Sequence, residues 1–304
     1  MGGHVRTLKT SEAAQMLNVS PNTLRAWERR FGYPKPARTA GQHRMYTFGE
    51  VAALRDALKE GLSISSAVSR AQESLQADTQ MLTGALNAYE LTRADAAMAA
   101  ALALRTVDRA VEEVLLPSLV ELAGQHGEDS APWSFSAQWA QDWLRRAQRM
   151  TPPPTRRMGI LIGDATGGRI DLQDLHLRAL ELFLARAGAR IITLPVSGVA
   201  GLGEALAAFR PDLVVVAGGS ESDELVARWA YRARVSAGTL PVTLFHRSTS
   251  RVRTTGSQAL SISPSAAHRE ILALLDSAAR TEAPSLSTVD LYAAREALQE
   301  RNAS

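Results

Sequence analysis

The spacing of apolar residues changes twice along this chain, and each spacing predicts a different kind of element. Near the start, short apolar sets are divided by tight turns. Ala13, Ala14 and Leu17 line one side of a helix over residues 11–17, and Leu24 and Phe31 line one side of a second. From about Ser74 to Gln148 the sequence is rich in Ala and Leu at helical spacing with few breakers, densest at 96–104 and 111–122. That stretch predicts a small helical bundle. After Thr151-Pro-Pro-Pro154, short continuous apolar runs alternate with helical stretches. The runs are 158–162, 190–195, 213–217, 242–245 and 260–262; between and after them lie 172–187, 202–209, 223–236 and 266–279. This alternation predicts a five-stranded parallel α/β sheet of Rossmann or flavodoxin type.

The expected organisation is therefore multidomain: an α winged helix-turn-helix over 1–73, the bundle over 74–150, the Rossmann-like domain over 151–280 and a tail over 281–304. The proline run is a stiff linker between the second and third. In the tail, Val289, Leu291, Tyr292, Ala294 and Leu298 predict a short helix over 288–301 that docks on the body or on a second subunit.

The first two helices carry the most specific chemistry. Thr10 caps the first, Asn18-Val19 makes the turn, Ser20 caps the second and Pro21 fills its first turn, where a missing N–H costs nothing. With Leu24 and Phe31 inward, Asn22, Thr23, Arg25, Arg29 and Arg30 face outward. Asn and Arg suit base edges, and Thr and further Arg suit phosphate oxygens. Beyond Gly32-Tyr-Pro34 and Lys35-Pro36, the segment Arg38-Thr-Ala-Gly-Gln-His-Arg-Met-Tyr46 predicts a glycine-bearing hairpin, a wing with Arg38, His43 and Arg44, and Lys35 on the arm before it is a further candidate DNA contact. Thr47-Phe-Gly-Glu50 reads as a capping box opening a helix over 51–60.

Charge supports a nucleic-acid partner. The net charge of +3 is uneven: residues 1–46 hold eight Lys/Arg against Glu12 and Glu28, and the remainder is slightly acidic. A basic end on a neutral body is the footprint of a DNA-binding module. There is no cysteine, which excludes disulfides, thiolate metal sites and thiol redox sensing. No stretch suits a membrane span or a signal peptide, so a cytoplasmic protein is expected.

The run Ser20-Pro-Asn-Thr-Leu-Arg-Ala-Trp-Glu-Arg-Arg30, the proline-bearing arm and His43-Arg-Met-Tyr-Thr-Phe-Gly-Glu-Val51 resemble the MerR family of winged-helix regulators over about 65 residues. Trp27 and the following Glu-Arg-Arg-Phe-Gly-Tyr-Pro look most like the cobalamin-sensing light regulators of the CarH/LitR kind and the MlrA-type regulators. The resemblance implies that Arg25, Trp27, Arg29, Arg44 and Tyr46 contact DNA backbone or groove; a core role for Trp27 and Tyr46 is the competing reading. The order of modules is also that of the CarH/LitR group, whose members assemble through their sensor domains. No sustained coiled-coil run follows the wing here.

In that group a histidine in a D-x-H-x-x-G loop ligates cobalt, and a tryptophan and a Glu-His pair cover the other corrin face. Without gaps, this chain departs at each place. Gln173 stands at the ligand position, His176 at the glycine, Ala137-Gln138 at the Glu-His pair and Gly127 at the tryptophan. Phe245-His246 falls where a glycine pair is expected. An amide is a poor cobalt ligand. No cofactor is therefore expected, unless a shifted register makes His176 a ligand. Phe135, Trp139 and Trp143, one turn apart on a helix face, are expected to fill the space of a corrin; an ordinary bundle core and a pocket for another flat ligand stay open.

Other signals are weaker. Gly163-Asp-Ala-Thr-Gly-Gly168 lacks P-loop and dinucleotide spacing and reads as a loop. Asp164, Gly218-Gly-Ser-Glu-Ser222 and His246-Arg247 lie at strand ends, where such sheets bind ligands. His4, His43, His126, His176, His246 and His268 are scattered without metal-site spacing. No nucleophile–base pair emerges, so no enzyme is expected. The combined reading is a sequence-specific DNA-binding transcriptional regulator. Its expected partners are double-stranded DNA, a second copy of itself, and RNA polymerase or another regulatory protein. Its sensor half is expected to work without cobalamin. A cobalamin-dependent regulator with atypical ligands and an enzyme on the Rossmann-like domain are the alternatives.

Overall fold

A computed structural model describes residues 7–38, 43–155, 158–198, 200–237, 240–246 and 257–282. The helix expected over 288–301 lies outside the described residues. Three units follow one another, joined by shared helices and ion pairs.

The first unit contains β1 (Thr7–Lys9), α1 (Thr10–Met16), α2 (Pro21–Phe31), β2 (Ala37–Arg38), β3 (Arg44–Thr47) and α3 (Phe48–Lys59). The strands form an antiparallel sheet in the order β1-β3-β2, with Arg38 opposite Arg44 and Leu8 opposite Tyr46. α1 begins one residue earlier than expected: the Lys9 N–H donates to Glu12 Oε2 at 2.7 Å, and Lys9, not Thr10, is the N-cap. α2 starts as expected, with the Ser20 hydroxyl accepting the Thr23 N–H at 3.0 Å and Pro21 in the first turn. Gly32 closes it in the left-handed region at φ 66°. Ala13, Ala14, Leu17, Leu24, Tyr46, Val51 and Leu54 make one core, on which Trp27 and Tyr33 pack.

The expected capping box at α3 does not form. Thr47 is the N-cap, but its side chain takes no backbone N–H. Glu50 instead accepts the Lys35 N–H at 3.0 Å and pairs with Arg109, and from Thr47 it takes the side-chain hydroxyl, at 3.4 Å. A buried cation outcompetes a helix-end N–H for that carboxylate.

The bundle contains α4 (Ile64–Asn87), α5 (Leu91–Leu104), α6 (Val107–Ala110), one π turn (Val111–Leu115), α7 (Leu116–His126) and α8 (Ala131–Arg149). The border expected at 73/74 falls inside α4. That helix leaves the first unit through Ala67 and enters the bundle core through Leu82, Ala85 and Leu86. It packs on α5, α7 and the π turn. A helix serving two cores needs no heptad seam, which explains why no coiled-coil repeat is legible there.

The third unit contains β4 (Gly159–Asp164), α9 (Leu172–Arg186), β5 (Arg190–Pro195), α10 (Leu202–Phe209), β6 (Leu213–Ala217), α11 (Asp223–Ala237), β7 (Val242–Phe245), β8 (Ser257–Ala259) and α12 (Pro264–Glu282). All five strands are parallel in the order β5-β4-β6-β7-β8, the flavodoxin-type winding. The last strand lies three residues before the expected 260–262, and the first runs to Asp164. α9 and α12 cover one face through Leu177, Leu180, Leu184, Ala267 and Ile271. α10 and α11 cover the other through Leu202, Leu206, Val226 and Trp229.

α9 is apolar on two sides. Leu177, Leu180 and Leu184 face the sheet, while Leu175, Ala179, Leu182 and Phe183 belong to the bundle core. A helix hydrophobic around most of its circumference must be buried on both sides. The bundle is thus fused to the sheet along α9, and further bonds close the seam: Trp133 Nε1 to the Ile170 carbonyl at 3.2 Å and Gln141 Nε2 to Asp174 Oδ2 at 2.8 Å.

Candidate functional site

On α2, Asn22, Arg25, Arg29 and Arg30 are exposed opposite the buried Leu24. Arg25 and Asn22 are joined only by a long 3.5 Å contact, and the Arg30 guanidinium lies 5.2 Å from the centre of the Phe31 ring. Three arginines on one helix face, without a carboxylate holding Arg25 or Arg29 among the described residues, can reach the edge of a DNA groove. Thr23 is half-buried and its hydroxyl is spent on Ser20 at 2.8 Å. Trp27 is half-buried against the core.

The two strands of the expected wing are present as β2 and β3. The backbone of Arg38 lies in β2; residues 39–42 and the Arg38 side chain lie outside the described residues. His43 is exposed at the base of the wing. Arg44 is not free: its Nε lies 2.9 Å from Glu28 Oε2, and that bond favours the charged guanidinium. Tyr46 corrects an expectation. It is fully buried, donates its hydroxyl to Glu28 Oε2 at 3.4 Å, and is held in its neutral form by burial and by the Glu28 charge. Its place in the core with Leu8, Leu24 and Val51 makes it a core residue, not a DNA contact. Lys35 is exposed but leans toward the bundle, 3.4 Å from Glu113. Glu28 was missed in sequence. The signal was there: it is the one acid between Trp27 and the Arg29-Arg30 pair.

The second place to look is the crevice where strand order reverses, beyond the carboxyl ends of β4 and β6. Protein side chains meet there. Asp164 accepts the Thr166 hydroxyl at 2.6 Å and the Arg178 guanidinium at 2.7 Å. Despite the cost of burial, these bonds hold its carboxyl below the usual range. Arg178 also binds Asp174 at 2.7 Å and Glu181 at 2.9 Å, and these carboxylates keep it charged. Gln173 lies in the first turn of α9, and its Oε1 accepts the Gly219 N–H at 2.7 Å. The ring centres of His176 and His246 are 4.8 Å apart, and His176 Nδ1 lies 2.5 Å from the Leu172 carbonyl. Chain spacing hid this histidine pair because α9 and β7 are brought together only by the sheet. Burial, and then the His176 charge, push the His246 imidazole down to about 4.

Residues 8–72 match the family model described as MerR HTH family regulatory protein. The N-terminal unit is a MerR-family domain. The similarity to known regulators runs further. The HTH-type transcriptional repressor CarA of Myxococcus xanthus is 29% identical over 226 residues, covering 69% of this chain and 76% of its own length. CarH of the same organism, also an HTH-type transcriptional repressor, is 28% identical over 237 residues, covering 69% and 78%. The HTH-type transcriptional regulator MlrA of Salmonella typhimurium is 35% identical over 68 residues, covering 22% of this chain and 28% of its own length. Among solved structures, that of the Methanosarcina barkeri monomethylamine corrinoid protein covers 66% of this chain and 99% of its own at 13% identity, with a TM-score of 0.49. The similarity to CarA and CarH is far longer than the MerR domain alone.

Behind the MerR domain, the aromatic row on α8 joins the bundle core. Trp139 is buried, with its Nε1 donating to Asp95 Oδ1 at 3.0 Å. Phe135 and Trp143 are partly buried beside it, and Phe135 meets the edge of Tyr89 with ring centres 5.0 Å apart. Trp133, which falls outside the expected row, is the more completely buried residue. Gly127 ends α7 at φ 77°, Ala137 is buried, and Gln138 is exposed on α8.

Proposed function

We propose that this protein is a sequence-specific DNA-binding transcriptional regulator whose C-terminal half works without cobalamin, through self-association, a partner protein or another ligand. In this reading α2 enters the major groove with Asn22, Arg25, Arg29 and Arg30, while Arg38, His43 and Arg44 on the wing approach the backbone or the minor groove. The exposed basic face of α2, opposite buried Leu24, carries the DNA assignment. One small module binds modestly, so paired half-sites and at least a dimer are expected. No catalytic role is assigned.

Cobalamin independence rests on Gln173. The residue aligned with the cobalt ligand is an amide whose oxygen already accepts the Gly219 N–H, and it sits inside a helix rather than in an open loop. His176, three residues further along α9, has its Nδ1 on the Leu172 carbonyl and its ring beside that of His246. These residues do not fit a corrin ligand set.

The test is dark incubation of the full chain with adenosylcobalamin, followed by gel filtration read in the protein and corrin bands. Colourless protein that is already oligomeric supports the proposal. Corrin co-eluting at near-stoichiometric amounts overturns it, and His176 becomes the first ligand to mutate.

A further inference from the structure

A cavity of about 450 Å³ lies between the MerR domain and the bundle. It is lined from one side by Phe31, Tyr33, Glu50 and Leu54, and from the other by residues of α4, Leu104, Arg105, Arg109 and Glu113. That volume is in the range of small-molecule sites, which favour domain interfaces.

Its back wall is an ion ladder that satisfies itself. Arg109 binds Glu50 at 2.5 Å and both oxygens of Glu113 at 3.0 Å, and Arg105 binds Asp78 at 2.7 Å. An anion would have to break these buried pairs to reach either arginine. Most of the remaining lining is apolar: Leu54, Ala57, Ala71, Leu75 and Leu104, the last left 37% exposed despite its size. Tyr33 adds one polar group. Its hydroxyl has no hydrogen-bond partner among the described residues, and burial beside Glu50 keeps it protonated and able to donate.

The cleft also has two exposed cations. Lys35 and Arg70 line the cavity with side chains 64% and 56% exposed; Lys35 lies 3.4 Å from the largely buried Glu113, and Arg70 pairs with the exposed Glu60. The exposed Arg70–Glu60 pair is weak and exchanges easily for another anion, and Glu113 keeps its two bonds from Arg109 when the long Lys35 contact is given up.

We propose that this cleft binds a small amphipathic anion: an apolar, preferably aromatic body against Leu54, Ala71, Leu75 and Leu104, with one carboxylate or sulfonate between Lys35 and Arg70. An occupant lies against the C-terminal end of α2, next to Arg29 and Arg30. The cleft is separate from the carboxyl edge of the large sheet, so the inference stands whatever that edge binds.

The probe is 1-anilinonaphthalene-8-sulfonate, titrated into the full chain and followed by fluorescence and calorimetry. The expected result is one saturable site per chain, lost in Ala71→Trp, with the dissociation constant raised about five-fold in Lys35→Ala or Arg70→Ala. Ser74→Trp, at an exposed cleft position, replaces Ala71→Trp if circular dichroism shows that variant misfolded. Saturable binding unchanged in the folded tryptophan variant, or no saturable binding at all, overturns the site. Equal affinity for uncharged N-phenyl-1-naphthylamine overturns the anionic part.

Discussion

Arg44 on the wing strand β3 and Glu28 on α2 form an ion pair at 2.9 Å, so the wing and the second helix are tied to each other. The same carboxylate receives the buried Tyr46 hydroxyl, which anchors the pair to the core of the MerR domain.

Arg25 and Arg44 should therefore behave differently. Arg25→Ala removes an exposed cation held only by a 3.5 Å contact. It is expected to weaken operator binding about ten-fold, lower the salt slope by about one and leave the melting temperature unchanged. Arg44→Ala should weaken binding and also cost up to about 1 kcal/mol of stability, because Glu28 loses its partner. Anisotropy titrations at several salt concentrations, on a duplex obtained by in vitro selection, together with thermal melts, measure both. Wild-type binding by Arg25→Ala would remove α2 from the groove.

Arg178 is surrounded by Asp164, Asp174 and Glu181. Arg178→Ala leaves three poorly solvated carboxylates without their cation. Breaking a buried pair in this way costs about 3–5 kcal/mol. Urea unfolding should show that loss; a change below about 1 kcal/mol would mean that water replaces the guanidinium.

Gly163 and Trp229 are in close contact across the sheet surface. A Cβ at Gly163 would stand 2.8 Å from the indole ring of Trp229, which is fully buried on α11. Gly163→Ala is expected to destabilise by about 1–3 kcal/mol through overpacking. The penalty should shrink in a Trp229→Phe background, where the clashing ring atoms are gone. A double-mutant cycle with no coupling between the two positions contradicts the contact.

His246 sets a pH dependence. Its folded imidazole titrates near 4, below the ordinary value of 6.5, so the unfolded chain binds more protons between those limits. Its contribution to stability is complete above about pH 6.5 and is lost as pH falls toward 4. His246→Asn keeps a residue suited to the positive φ of 52° and removes the titration. The melting temperature of the variant should fall less steeply than wild type across that window; parallel curves would assign the slope to other groups.

Much of this architecture is legible in the chain. Ser20, Pro21 and Gly32 bound α2 by local chemistry alone, and the runs 213–217 and 242–245 are strands because continuous apolar segments of that length suit a sheet buried on both faces. Local rules end where a residue has several possible partners. Thr47 and Glu50 have the spacing of a capping box, yet Glu50 is taken by Arg109, fifty-nine residues away. Four residues of β3 do not by themselves say which side chains are inside, so a DNA contact and a core role both stay open for Tyr46 until the packing places it in the core. The border at 73/74 failed because one helix can feed two cores, and composition does not change where the core does.

The sequence by itself determined the order of modules, the start and stop of α2, and the exposed basic residues on it, because caps, prolines and helical periodicity act over a few residues. Only the tertiary structure decided that Gln173 meets Gly219, that His176 lies on His246, and that Arg109 bridges to the MerR domain. Those pairings join residues on separate elements, and their energies depend on distance and burial, which no local pattern encodes.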